Sequence, residues 1–368
     1  MIQVARPYFR NKEAILKSIE AVLESGRLMN GEMTRSFEGA FTRYIGSKYA
    51  ISVNSCTTAL EIVMRFYGVS DREVIIPANT FIATGNAVIF AGGIPVLADC
   101  KEGTYNIDID EIWKKVSKKT RGVIVVHIAG IVCEDIEEIR NLCRENDLFL
   151  IEDCAHASGA ELHNKKAGSF GDASCFSFYP TKIMTTGTGG MITTDDESLD
   201  AFARSVRIHG SSQKGTSEII NLGNDWFMDE IRAVIGIHQL QDLDYLLSKR
   251  RQIASYYSKK ICTIRDIFNF SIPDSSSPSY YKYPVQLHSN ISIEKFKQKF
   301  TEDYHIELES LYWPPCHLQP LYQKMFHYKV GDFPVSERIL KQQICLPIHA
   351  LVTKEDMDRI IEGLEATL

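Results

Sequence analysis

Apolar positions along the chain set the first expectations. Residues 13–23 place Ala14, Ile15, Ile19 and Val22 at helical spacing, and residues 33–44 repeat the pattern with Phe37, Phe41 and Tyr44, so two amphipathic helices are predicted near the start. Beyond them, β-rich runs at 49–53, 73–76, 95–98, 122–126 and 148–151 alternate with helical stretches, the rhythm of parallel βαβ units. The runs are almost continuously apolar, as expected of strands covered by helices on both faces. Ligands of such sheets bind beyond the C-terminal ends of the strands. After Gln239-Leu240-Gln241 a charged helical stretch carrying Lys249, Arg250, Arg251, Lys259 and Lys260 leads into Pro273-Asp274-Ser275-Ser276-Ser277-Pro278, a loop composition. The expected organisation is a large domain over residues 1–244 and a smaller α+β domain over residues 245–368.

Composition narrows the function classes. A chain of 368 residues, 44% hydrophobic and 24% charged, is in the range of globular proteins of about two domains. The formal net charge of −6 argues against a nucleic-acid partner, which would need clustered Lys and Arg. The N-terminus has no basic segment followed by an apolar one, and no apolar run approaches membrane-spanning length, so a cytoplasmic protein without membrane contact is expected. Nine cysteines without a Cys-x-x-Cys pair fit neither a disulfide framework nor a zinc site, and no metal is expected.

Three segments carry candidate chemistry. In Ser174-Cys175-Phe176-Ser177-Phe178-Tyr179-Pro180-Thr181-Lys182, one lysine stands in an uncharged aromatic stretch ahead of the glycine-rich turn Thr185-Thr186-Gly187-Thr188-Gly189-Gly190. Burial would favour its free amine, the form that condenses with an aldehyde. The run 148–151 leads into Glu152-Asp153-Cys154-Ala155-His156, so a carboxylate emerges where such a sheet keeps its site; an Asp there is able to hold a pyridine nitrogen protonated. Asn54-Ser55-Cys56-Thr57-Thr58 opens a helix after a strand, where backbone N–H groups and hydroxyls hold phosphate. Taken singly, each segment has an ordinary structural reading: a solvated loop lysine, an N-capping aspartate, a Ser/Thr cap.

Together and in this order, the segments resemble the DegT/DnrJ/EryC1/StrS family of sugar aminotransferases. The resemblance spans essentially the whole chain. It takes in Arg6-Pro7, Ser25-Gly26-Arg27 with Gly31, Pro77-Ala78-Asn79-Thr80-Phe81-Ile82-Ala83-Thr84, Thr104-Tyr105-Asn106-Ile107-Asp108, His127-Ile128-Ala129-Gly130 and His317-Leu318-Gln319-Pro320. It implies an α/β, fold-type I pyridoxal-phosphate-dependent transferase: a large domain with a mostly parallel seven-stranded sheet between helices, plus a smaller α+β C-terminal domain.

The resemblance further implies that Lys182 carries pyridoxal 5'-phosphate as an internal aldimine, with pyridoxamine 5'-phosphate as the aminated form. Asp153 would pair with the pyridine nitrogen, His156 would reach the ring hydroxyl, and Phe81 would stack on the ring, although a core phenylalanine is an equal reading of Phe81. Thr57, Thr58 and Ser177 match phosphate ligands. The remaining phosphate contact would come from a second subunit, implying a homodimer with shared sites. There the chain departs from the family's Asn-Tyr-Arg-Met: it has Asn224-Asp225-Trp226-Phe227-Met228. An aspartate facing phosphate is repulsive, so Asn224 is the expected contact or that corner is rebuilt. Tyr179, where the family has His, and Thr188, where it has Glu, are further departures.

By the same resemblance the amino donor is L-glutamate and the acceptor a nucleotide-linked 3- or 4-keto-deoxyhexose. Its diphosphate calls for cations, and Arg207, His209 and Lys214, around the polar stretch Gly210-Ser211-Ser212-Gln213-Lys214-Gly215, are the candidates beside a solvated-loop reading. His317 and Tyr179 are further candidates for the sugar. Two alternatives stay open: a keto-inositol acceptor, and a non-catalytic binding or regulatory protein of the same fold; against sugar dehydration, which in relatives goes with replacement of the lysine by His, stands Lys182.

Overall fold

The computed structural model describes residues 1–212 and 217–368. Two helices, α1 (Lys12–Ser25) and α2 (Glu32–Ile45), precede the first strand. The main sheet then forms from β1 (Tyr49–Val53), β2 (Glu73–Pro77), β3 (Ile94–Ala98), β4 (Thr120–Val126), β5 (Phe149–Asp153), β6 (Ala173–Ser177) and β7 (Gly190–Thr194). Its spatial order is β1-β7-β6-β5-β4-β2-β3. Every neighbouring pair is parallel except those of β7, which runs against both β1 and β6. This is the mostly parallel seven-stranded sheet the sequence led us to expect.

Strand pleating explains why these runs are apolar throughout. Val123, Val125 and Leu150 enter one core with Phe37 and Phe41 of α2, while Ile124, Phe149 and Ile151 enter the opposite one with Leu60, Ile62 and Val63. Successive side chains point to opposite faces, so a sheet buried on both sides needs a hydrophobe at every position. The second core is closed by α3 (Cys56–Phe66), α4 (Ile82–Phe90) and α7 (Glu197–Val206), while α5 (Ile109–Lys115) and α6 (Ile136–Glu145) pack into the first. Eight of the nine cysteines are buried and all are free thiols, serving as small apolar residues.

Helix α8 (Glu230–Gln241) packs on α2, and α9 (Leu243–Ile261) follows it at once. Leu243, Leu246 and Leu247 of α9 lie in the core of the main sheet. Ile253, Ala254, Tyr257 and Ile261, further along the same helix, lie in a second core with Phe296, Phe300, Ile360 and Leu364. That core backs a three-stranded antiparallel sheet, β8 (Ile267–Asn269), β9 (Tyr283–Leu287) and β10 (Gln343–Leu346), in the order β8-β9-β10. Ile2 joins it from the N-terminus, whereas Cys316, Tyr322 and Phe333 return to the core of the large sheet. No helix among the described residues is long and apolar enough to cross a membrane.

Candidate active site

The C-terminal ends of β1, β5 and β6 open on one crevice. Asp153 is the last residue of β5 and pairs in register with Cys175 of β6. No helix follows it, so it is not a helix cap. Its carboxylate is buried and accepts two hydrogen bonds, from the Thr84 hydroxyl at 2.9 Å and the Ala155 N–H at 3.1 Å. Burial raises its pKa above the ordinary value, opposed by those two bonds and by the nearby charge of Lys182. Thr84 is itself held by the Thr80 hydroxyl at 2.8 Å, so α4 orients the carboxylate.

Lys182 lies beyond β6 on the turn that returns through the glycines to β7. Its backbone N–H donates to the Tyr179 carbonyl at 2.9 Å, and its Nζ sits 4.2 Å from the centroid of the Tyr281 ring. The turn is glycine-rich for a steric reason. A Cβ on Gly190 would stand 2.4–2.6 Å from the backbone of Ser55 and Cys56, so only glycine lets β7 start against the N-terminus of α3. Thr188 completes that seam, its hydroxyl donating to the Asn54 carbonyl at 2.7 Å.

Ser55 caps α3, accepting from the Thr58 N–H at 3.1 Å, and the Thr58 hydroxyl bonds Asn54 Oδ1 at 2.7 Å. Thr57 stands in the first turn, where the positive end of the helix dipole meets the crevice. Ser177 ends β6, with its register partner Gly190 paired in turn to Val53. Thr57 and Thr58, just after β1, and Ser177, at the end of β6, therefore flank the start of β7 on either side.

His156 follows β5 by three residues and is buried. The Tyr312 hydroxyl lies 2.5 Å from His156 Nε2, and the Tyr281 ring lies 4.2 Å away, centroid to centroid. Burial, reinforced by the charges of Lys182 and Lys282, lowers the His156 pKa well below the ordinary value. A neutral imidazole accepting at Nε2 carries its proton on Nδ1. His156 Nδ1 is buried with no hydrogen-bond partner among the described residues, and with Tyr312 donating at Nε2 it would be a donor. It is the kind of group a cofactor's ring oxygen would satisfy, and Asp153, with two bonds only, has room for a protonated ring nitrogen. The site therefore fits the cofactor that the sequence implied. Phe81, 54% exposed, is no core phenylalanine; it packs against Tyr312 at 5.6 Å at the edge of a cavity of about 330 Å³ lined also by Thr80, Trp313, Gln319 and Leu321.

Two expected substrate residues are placed elsewhere. Arg207 is buried, its guanidinium 2.5 Å from Glu38 and 2.8 Å from the Ser52 carbonyl. It neutralises a buried carboxylate that also accepts from Arg204 and Ser52, and is not free to meet a diphosphate. His317 is fully buried against Phe333 and bonded to Glu337 at 2.9 Å; it fastens the chain segment after it and does not face the open site. Tyr179 is exposed beside Lys182. His209 is exposed, and its N–H bonds the carbonyl of Asn224, itself exposed. Asn224 Oδ1 accepts from the Asp225 N–H at 2.8 Å, and the Asp225 and Trp226 carbonyls both accept from Asn54. Lys214 lies outside the described residues.

Tyr281, Tyr312 and Thr84 were not singled out from the sequence as site residues. The cluster Tyr280-Tyr281-Lys282-Tyr283 ahead of an apolar run, Leu311-Tyr312-Trp313 just before His317, and the place of Thr84 at the end of the motif 77–84 are the local signals.

Comparison with known proteins agrees with this geometry. The model of the DegT/DnrJ/EryC1/StrS aminotransferase family matches residues 10–365. The dTDP-3-amino-3,6-dideoxy-alpha-D-galactopyranose transaminase of Aneurinibacillus thermoaerophilus is 35% identical, over 96% of this chain and 95% of its own. The GDP-perosamine synthase of Caulobacter vibrioides is 33% identical, over 92% and 91%. Among solved structures, Helicobacter pylori PseC, an aminotransferase involved in the biosynthesis of pseudoaminic acid, superposes with a TM-score of 0.93 at 27% identity, covering 100% of this chain and 98% of that one.

Proposed function

The chain belongs to the DegT/DnrJ/EryC1/StrS aminotransferase family and is a pyridoxal-phosphate-dependent sugar aminotransferase, and from that premise we propose that it moves an amino group from L-glutamate to a nucleotide-linked 3- or 4-keto-deoxyhexose. The observation that carries the assignment of the site is the meeting of Lys182, the buried Asp153 carboxylate and the unpartnered Nδ1 of His156 around one crevice at the sheet's C-terminal edge. The sugar-nucleotide acceptor draws its support from the relatives' names, which carry dTDP- and GDP-linked sugars.

When bound, the cofactor supplies an electron sink for the substrate carbon and carries the amino group from donor to acceptor. Lys182 holds it covalently and afterwards moves a proton at the substrate carbon as general base and acid. Asp153 keeps the ring nitrogen protonated, because a buried carboxylate is far more stable beside a cation than alone. His156 donates from Nδ1 to the ring oxygen, with Tyr312 fixing the tautomer. The N-terminus of α3 with Thr57, Thr58 and Ser177 receives the phosphate, and Phe81 covers the ring.

Asn224 completes the phosphate site of a second copy in a homodimer. Its exposure, together with that of Leu28, Met29, Ile219, Ile220 and Leu222, supports burial of this region against another subunit.

The test is a panel of nucleotide-linked keto-sugars and keto-inositols incubated with L-glutamate, with 2-oxoglutarate release measured. Release with a keto-sugar nucleotide is expected; release with keto-inositols alone would overturn the acceptor class. Lys182→Ala should abolish both turnover and the yellow colour of the cofactor-loaded protein, and a coloured, active variant would remove Lys182 from its role.

A further inference from the structure

The C-terminal half of the chain reaches the catalytic lysine at Tyr281. The residues ahead of β9 pass over the turn formed by His127-Ile128-Ala129-Gly130, where Gly130 has a left-handed φ of +87°. A Cβ there would lie 2.1 Å from Ser279 Oγ, 2.8 Å from the His156 carbonyl and 3.1 Å from the Tyr281 N–H. Ser279 bonds back on both sides, its N–H to the Gly130 carbonyl at 2.9 Å and its hydroxyl to the His156 carbonyl at 2.8 Å. Arg250 of α9 anchors the same segment from below, donating to the Tyr280 carbonyl at 2.8 Å. Tyr281 is thus clamped through its backbone, and its ring lies against His156, at 4.2 Å between centroids, and 4.2 Å from Lys182 Nζ, with the phenol 3.1 Å from the Thr181 hydroxyl.

We propose that Tyr281 is a positioning residue for Lys182, its ring supporting the amine and its hydroxyl, aimed by Thr181, accepting a hydrogen bond from Nζ so that the amine is held toward Asp153 and His156. This rests on Lys182 being the cofactor's anchor. The ring face attracts a cation, and the phenol oxygen adds a directed acceptor that a phenylalanine would lack. The charged and titratable groups around Tyr281 are Lys182 on the β6–β7 turn, Lys282 next to it in sequence, His156 after β5, Tyr312 bonded to His156, and Arg250 on α9. Burial raises the Tyr281 phenol's pKa, but Lys182, then Lys282, outweigh it and bring it below the ordinary tyrosine value. A hydrogen-bond acceptor at this position in turn favours the protonated form of whatever nitrogen Lys182 presents.

The experiment is a pH titration of the visible absorbance of the cofactor-loaded enzyme, which reports protonation at the Lys182 nitrogen. Tyr281→Phe keeps the ring and the packing and removes the hydroxyl; its midpoint should fall by about one pH unit, with melting temperature unchanged. Thr181→Val, which only releases the phenol, should lower the midpoint by less. Unchanged midpoints in both folded variants would show that Tyr281 only packs, and overturn the proposal. Lys182→Ala separates the two readings: if it retains the pH-dependent absorbance, the anchor has been misassigned, whatever Tyr281 does.

Discussion

Gly130→Ala tests whether the seam between the two halves of the protein builds the site. At φ +87° an alanine carries left-handed strain of about 1–2 kcal/mol. Its Cβ would also overlap Ser279 Oγ at 2.1 Å and the His156 carbonyl at 2.8 Å. Ser279 can turn away only by giving up its bond to His156, worth about 1 kcal/mol. The His156 carbonyl and Tyr281 N–H are backbone and must shift, at about 1–3 kcal/mol for overpacking. The sum is a loss of about 3–6 kcal/mol.

Gly46→Ala supplies the comparison, since Gly46 has nearly the same φ, +89°, and nothing within 4 Å of its Cβ position; it should cost only the strain, about 1–2 kcal/mol. Both are measured by urea denaturation, with pyridoxal phosphate affinity followed by absorbance. Gly130→Ala should also weaken cofactor binding, because the displaced backbone carries His156 and Tyr281. Equal losses for the two variants, or unchanged affinity in Gly130→Ala, would refute the reasoning.

The other predictions concern buried charge. Glu152 accepts from His127 Nε2, the N–H groups of Gly168, Phe170 and Gly171, and the Ser174 hydroxyl. Burial would raise its pKa, but the bond and charge of His127 and the N–H bonds hold it below the ordinary value of 4.5. A depressed carboxylate contributes stability that is present above pH 4.5 and is lost as pH falls through the lower folded-state value. Glu152→Gln turns an N–H₂ toward two of these donors, so it should cost about 2–4 kcal/mol at pH 7 and flatten the acid limb of a stability-pH curve measured by denaturation. Arg207→Ala, which leaves Glu38 with Arg204 alone, should cost about 3 kcal/mol in the same assay while leaving the acceptor KM unchanged; a raised KM at unchanged stability would return Arg207 to the substrate.

Much of the architecture was legible locally because it depends on short-range pattern. Unbroken apolar runs marked strands buried on both faces, and the crevice residues Asp153, His156 and Lys182 fell just at or beyond strand ends, where such sheets place ligands. The glycine-rich turn was visible, but the purpose of Gly190, which starts β7 against Ser55 and Cys56, was not.

Long-range pairing was hidden. Glu152 and Asp153 are adjacent carboxylates of the same strand; one is saturated by a loop some sixteen to nineteen residues on, the other faces the crevice, and strand alternation together with that loop separates their roles. Arg207 and His317 read as substrate ligands until Glu38, 169 residues away, and Glu337 claimed them. Tyr312 reaches His156 across 156 positions. Sequence alone determined the elements and the residues with reactive chemistry, since both follow from local composition and period. Only the tertiary structure decided which charges are neutralised in the interior and which stay free to act, because burying a charge requires a partner and the partner's address is not written near it.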